Sequence, residues 1–213
     1  MPAEPLLRGP GRPRGDSDLR ARLLAAAEAA FASDGFDAAS LRAIAFAAGC
    51  DVSMVAHYFG SKAELWRAVI DALAERQRLG LVALTEALAV LPADSRLRLR
   101  CGVEQLFNRI AADVALARML LRETADAGPR ASYIEARLTR PMLAVYRPLW
   151  EDAMRDGVLG SADVVVAHVA TVGAILALIA LRDTVVSLGA LAGREADMAA
   201  LRDEFCRGLF GLA

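Results

Sequence analysis

The chain has 213 residues, 56% of them hydrophobic, and sets 25 Lys and Arg against 26 Asp and Glu for a formal net charge of -1 at pH 7. That length and apolar content suffice for a sizeable core and exclude collagen-like and disordered classes. The near-neutral balance excludes a generally basic nucleic-acid binder, so any DNA contact must be local.

Cys50, Cys101 and Cys206 stand far apart, with no CxxC and no histidine at ligand spacing. This argues against a disulfide framework or a zinc site and suits a reducing cytoplasm. Residues 1–15 are rich in Pro, Gly and Arg. They lack the apolar run of a signal peptide and are expected to form a flexible basic arm. Asp16 and Ser17 can cap a first helix whose stripe of Leu19, Leu23, Leu24, Ala27 and Phe31 runs to Asp34 and Gly35. Ser40 can cap a short second helix over 41–48. Gly49 then supplies a left-handed turn position, and Asp51 can cap a third helix over 52–59. Gly60 reads as a stop, and Ser61 with Glu64 as a capping box opening a long fourth helix towards Leu91 and Pro92.

Beyond Pro92 the pattern predicts helices over 95–113 and through Met119 to about 126, with a break at Gly128-Pro129. A helix over 130–156 is expected to kink at Pro141 and Pro148. Two more follow, over 163–188 and 194–209. Residues 164–181 carry no charged side chain, long enough to weigh as a membrane span. His168, Thr171, the flanking Asp163, Arg182 and Asp183, and the absence of Trp or Tyr anchors favour instead a helix buried on both faces, one against its own core and one against a second subunit. The expected architecture is all-α, with about nine helices. Residues 1–15 form the arm, 16–62 a three-helix DNA-binding domain, and 63–213 a helical domain for effector binding and dimerisation, with no membrane partner.

Residues 41–59 read as helix, tight turn with Gly, and sharply capped helix. Ala45 and Ala48 permit close crossing, while Ile44, Cys50, Val55 and Phe59 supply the buried side; Cys50 is read as core rather than as a redox sensor. Val52, Ser53, Met54, Ala56, His57 and Tyr58 are left to face outward. A recognition helix offers its first turn to base edges, whereas Tyr, His and Lys suit phosphates. Ser40 and Arg42, at the start of the preceding helix, join the candidate DNA contacts.

Residues 12–66 resemble the DNA-binding domain of the TetR family of bacterial regulators. The resemblance lies in the helix of Arg20 to Phe31, Gly35-Phe36, Ile44-Ala45, Ala48-Gly49, His57-Tyr58-Phe59, Lys62 and Glu64-Leu65. It implies a dimeric repressor bound to double-stranded operator DNA, with Tyr58 and Lys62 on phosphates and Val52, Ser53 and Met54 near bases. Lys62, the single lysine of the chain, stands at the start of the fourth helix, where phosphate binding is favoured. Two positions depart from the family pattern: Ala56 where an aromatic is usual, and Phe46 where a polar or basic residue is usual. Both remove expected backbone contacts and shift weight to the arm, whose Arg12-Pro13-Arg14 resembles a minor-groove AT-hook core. Tyr58 as a half-buried aromatic, and Arg12 and Arg14 as a solubilising tail, are the alternative readings.

In the C-terminal half, Gln105, Asn108, Tyr146, Trp150, His168 and Thr171 are polar or aromatic groups on apolar helices and are the candidate contacts for a small apolar or amphipathic effector. Each reads alternatively as a satisfied core or interface residue. No cofactor is expected. Gly15-Asp16-Ser17 resembles the start of a hydrolase motif but lacks the preceding strand, and no P-loop, GxGxxG, HExxH or GxSxG occurs, so an enzyme is not expected.

Overall fold

The computed structural model describes residues 14–125, 127–160, 163–191 and 197–210. Among them the order is α1 (Arg14–Ala38), α2 (Leu41–Ala47), α3 (Ser53–Phe59), α4 (Lys62–Ala89), α5 (Ser95–Ala111), α6 (Val114–Ala125), α7 (Pro129–Ile134), a π-helical turn (Glu135–Thr139), α8 (Arg140–Arg155), α9 (Val164–Ala180), α10 (Arg182–Ser187) and α11 (Met198–Phe210). The described residues contain no strand, as an all-α reading expects.

Leu23, Ala27 and Phe31, spaced by four, are fully buried and turn α1 onto α4. The backbone breaks inside α1 at Gly35, with φ 80 and ψ 171, a combination open essentially to glycine alone. Ser40 caps α2, its Oγ accepting the Ala43 N–H at 3.5 Å, and Asp51 Oδ1 accepts the Ser53 N–H at 2.8 Å where α3 begins. Ser61 caps α4 through Glu64 N–H at 3.1 Å. The expected return bond of a capping box is not what Glu64 makes, since its carboxylate takes Arg67 Nη1 at 2.6 Å.

Two apolar clusters form the interior. One gathers Leu23, Phe31, Ile44, Val55 and Phe59 with Leu65 to Leu73 of α4, the other Leu81 to Leu88 with α5, α8, α9 and α11. At 28 residues, α4 is about 42 Å long at 1.5 Å per residue and runs through both. The first cluster also takes Met119, Ile134 and Leu138 from the C-terminal half, while Ala117 of α6 belongs to the second. Packing therefore continues across residue 62 in both directions.

The interruption expected at Pro141 falls just ahead of it as the π turn. Proline has no N–H to pair with the carbonyl four residues back, and a wider turn carries the pairing past it. Pro148 lies inside α8 without ending it. The helix expected over 163–188 is split at Leu181 (φ -103, ψ 17) into α9 and α10. No helix of the described residues is long and apolar enough to cross a membrane.

Candidate nucleic-acid interface and buried polar cluster

The α2–α3 pair partitions its side chains by depth. Ile44, Ala45, Ala48, Val55 and Phe59 are buried, Cys50 is half-buried, and Arg42, Val52, Ser53, Ala56 and His57 are exposed. Met54 and Tyr58 are half-buried and lean on the core, so the outward face is narrower than periodicity alone suggests. Tyr58 is packed edge-on against His57 with centroids 5.0 Å apart. Ser40 is exposed at its cap. Phe46, where a polar or basic residue is usual in the family pattern, is 87% exposed. Bonds from Ser53 hold the Asp51 carboxyl below its usual range, so a carboxylate caps α3.

Lys62 is engaged within the protein. Its Nζ donates to the Asp37 carbonyl at 3.0 Å and sits 5.0 Å from the centre of the Phe36 ring, which ties the start of α4 to the end of α1. Arg130 covers Phe36 at 4.4 Å. Arg12 lies outside the described residues, and of Arg14 only the backbone, the first residue of α1, is described. Arg14 therefore opens a helix rather than continuing an extended arm.

In the C-terminal half, three of the six candidate residues, Tyr146, Trp150 and His168, come together, with the His168 ring 5.7 Å from Tyr146 and 6.2 Å from Trp150. All three are buried, and so is Thr171 on the same helix as His168. Trp150 Nε1 donates to His168 Nδ1 at 3.2 Å, so the neutral ring carries its proton on Nε2, which is buried with no partner among the described residues. Burial lowers the His168 pKa to about 4. The Tyr146 hydroxyl donates to the Gly102 carbonyl at 2.9 Å and accepts from Arg109 at 3.0 Å, and burial pushes its pKa up. The other two candidates stand apart. Gln105 donates to Cys101 Sγ on its own helix at 3.5 Å. Asn108 is exposed and accepts from Arg202 at 3.0 Å, linking α5 to α11; one turn beyond Gln105, it has rotated out of the core.

Residues 23–69, from the middle of α1 into α4, match the model of the bacterial regulatory proteins of the tetR family. These residues form a domain of the tetR family of bacterial regulatory proteins. Its fold recurs over nearly the whole length in solved structures. The fatty acid degradation regulator FadR from Bacillus halodurans has a TM-score of 0.67 at 20% identity, covering 91% of this chain and 98% of that one. FadR from Bacillus subtilis, in complex with stearoyl-CoA, has a TM-score of 0.67 at 18% identity over 89% and 97%. AibR, in complex with isovaleryl coenzyme A and operator DNA, has a TM-score of 0.69 at 17% identity over 91% and 98%. No curated protein matches the sequence.

Arg109, Gly102, Arg118 and Arg122 carry interactions that spacing along the chain does not show. Their roles depend on carbonyls and hydroxyls supplied by other helices. Arginines at helical spacing look like an ordinary solvated face until those helices are placed.

Proposed function

We propose that the chain is a homodimeric, cytoplasmic repressor that binds a double-stranded operator through α2 and α3 and changes that binding when a small apolar or amphipathic effector enters its C-terminal helices. The observation that carries the reading is the depth partition of α3. Val55 and Phe59 are anchored in the core while Val52 and Ser53, in the first turn, stay open to solvent, as base readout by a recognition helix requires. Met54 borders this surface, Arg42, Ser40, His57, Tyr58 and Lys62 serve the phosphates, and Arg12 reaches the minor groove.

Dimerisation is supported by the outer face of α9, where Val165, Val166 and Val169 are exposed on a helix without a charged residue. Pairing of α9 and α11 with their copies covers this face. The effector reading is supported by the Tyr146, Trp150 and His168 cluster, a few polar atoms in an apolar interior. Acyl-coenzyme A esters are the class to test first, because two structures of the same fold hold them.

Selection of duplexes from a randomised pool by the purified chain, followed by gel shift, tests the DNA reading. A specific site with two related half-sites is expected, and binding that tracks only duplex length would overturn it. Sedimentation of the native chain and of Val169→Glu tests the dimer, with a native dimer and a dissociated variant expected. A panel of acyl-coenzyme A esters in thermal shift tests the effector, with a rise in Tm expected for a binder. An ester that raises Tm yet leaves operator affinity unchanged defeats the sensor role.

A further inference from the structure

We infer that Arg118 and Arg122, one turn apart on α6, are positioning residues that hold the carbonyl ends of α9 and α1 on a single helix and thereby set where a dimer presents its two recognition helices. The inference rests on the operator-binding dimer proposed above and assigns its geometry to two named side chains.

The last four carbonyls of a helix have no donor within that helix. At α1 this deficit is moved inward by the break at Gly35. Arg122 meets it: Nη2 donates to the Ala32 carbonyl at 2.6 Å and to the Phe31 carbonyl at 3.3 Å, and Nη1 to the Ser33 carbonyl at 3.3 Å. A cation also suits the negative end of a helix. The planar guanidinium presents several donors in a fixed fork, which the single ammonium of lysine does not. At the other end, Arg118 Nε donates at 3.2 Å to the carbonyl of Ala180, the last residue of α9.

The two neighbours of Arg118 repeat the division. Ala117 is buried in the C-terminal cluster and Met119 in the N-terminal one. A second link lies beyond the break at Gly35. Arg130 pairs with Glu123 of α6 at 2.6 Å while covering Phe36 and approaching Asp37 at 3.6 Å, and the Glu123 carboxyl side chain is only 6% exposed. Leu23, Ala27 and Phe31 of α1 share one core with Ile44, Val55 and Phe59. A displacement of the end of α1 against α6 is therefore a displacement of α3. The helix α9, whose outer valines form the proposed dimer face, is held by the same α6.

The test compares the full-length native chain with Arg118→Ala, Arg122→Ala and Arg122→Gln on the operator selected by the native chain. Derivatives of that operator have their half-sites moved together or apart by one base pair, with half-site sequence unchanged. Preference for the native spacing is expected to narrow by roughly 2- to 30-fold in each variant, the range over which coupling residues act, while base preference within a half-site is kept. A purely structural role lowers Tm and leaves the spacing profile as it was. Arg122→Gln keeps a neutral donor able to reach one carbonyl and serves where Arg122→Ala does not fold. Unchanged spacing profiles in folded Arg118 and Arg122 variants overturn the inference alone. Failure of the native chain to select any site overturns the operator-binding reading and this inference with it.

Discussion

The indole N–H of Trp150 donates to Nδ1 of His168 at 3.2 Å, in a place where neither residue meets solvent. This bond needs a neutral imidazole, and burial holds the His168 pKa near 4. With the folded pKa depressed below the unfolded value of about 6.5, the unfolded chain takes up the proton first as pH falls. The associated stability is thus present in full above about pH 6.5 and is lost between there and pH 4. A shift of that size corresponds to about 3 kcal/mol. Urea unfolding at pH 7 and pH 4.5 checks it: the native chain is expected to lose more stability than His168→Gln, which has no group titrating in this window. Equal losses in both proteins would assign the acid sensitivity to carboxylates elsewhere.

Tyr146→Phe removes one hydroxyl and leaves two groups behind, the Gly102 carbonyl and the Arg109 guanidinium. The Gly102 carbonyl keeps its place in the α5 backbone ladder, so the loss is that of the hydroxyl's own bonds, about 1 to 3 kcal/mol with one of them to a charged group. The variant is expected to lose that much in denaturant titration while keeping its helical circular dichroism. Gly102 gives a complementary substitution. A methyl there meets Leu149 Cδ1 at 3.0 Å and Tyr146 Cε1 at 3.2 Å, so Gly102→Ala pushes on the same ring and is expected to destabilise the same contact between α5 and α8.

Gly35→Ala tests the break in α1. The added methyl meets nothing nearer than the Arg122 guanidinium at 4.0 Å, so space is not the obstacle. The obstacle is φ 80 with ψ 171, and holding alanine there costs about 1 to 3 kcal/mol. Thermal unfolding is expected to show the loss. A variant as stable as the native chain would mean that α1 can run straight through and that its carbonyls do not need Arg122.

Two kinds of DNA contact separate by sequence dependence. Ser53→Ala removes a hydroxyl from the exposed first turn of α3. It is expected to change the ranking of operator variants by about 1 to 3 kcal/mol at one position. Lys62→Ala is expected to weaken all duplexes alike and to reduce the salt slope by about 1. In the free protein Lys62 is held by the Asp37 carbonyl and the Phe36 ring, so reaching a phosphate requires an exchange of partners. Uniform losses in both variants would remove Ser53 from base readout.

Sequence by itself determined the helical class, the caps at Ser40, Asp51 and Ser61, the turn at Gly49 and the outward first turn of α3, because these follow from spacing and from bonds between near neighbours. It also placed Tyr146, Trp150, His168 and Thr171 as polar groups on apolar helices; the fold buried all four and brought the first three together. Tertiary structure alone decided that Asn108 turns out to Arg202, that Met54 and Tyr58 lean inward, that Lys62 is occupied, and that Leu181 divides the helix expected over 163–188. The same holds for Arg122. On α6 it is one arginine among several, and its role exists only because the broken end of α1 arrives beside it with three carbonyls to satisfy. Periodicity shows which face of a helix is apolar, whereas the partner of a long polar side chain is set by where distant backbone ends.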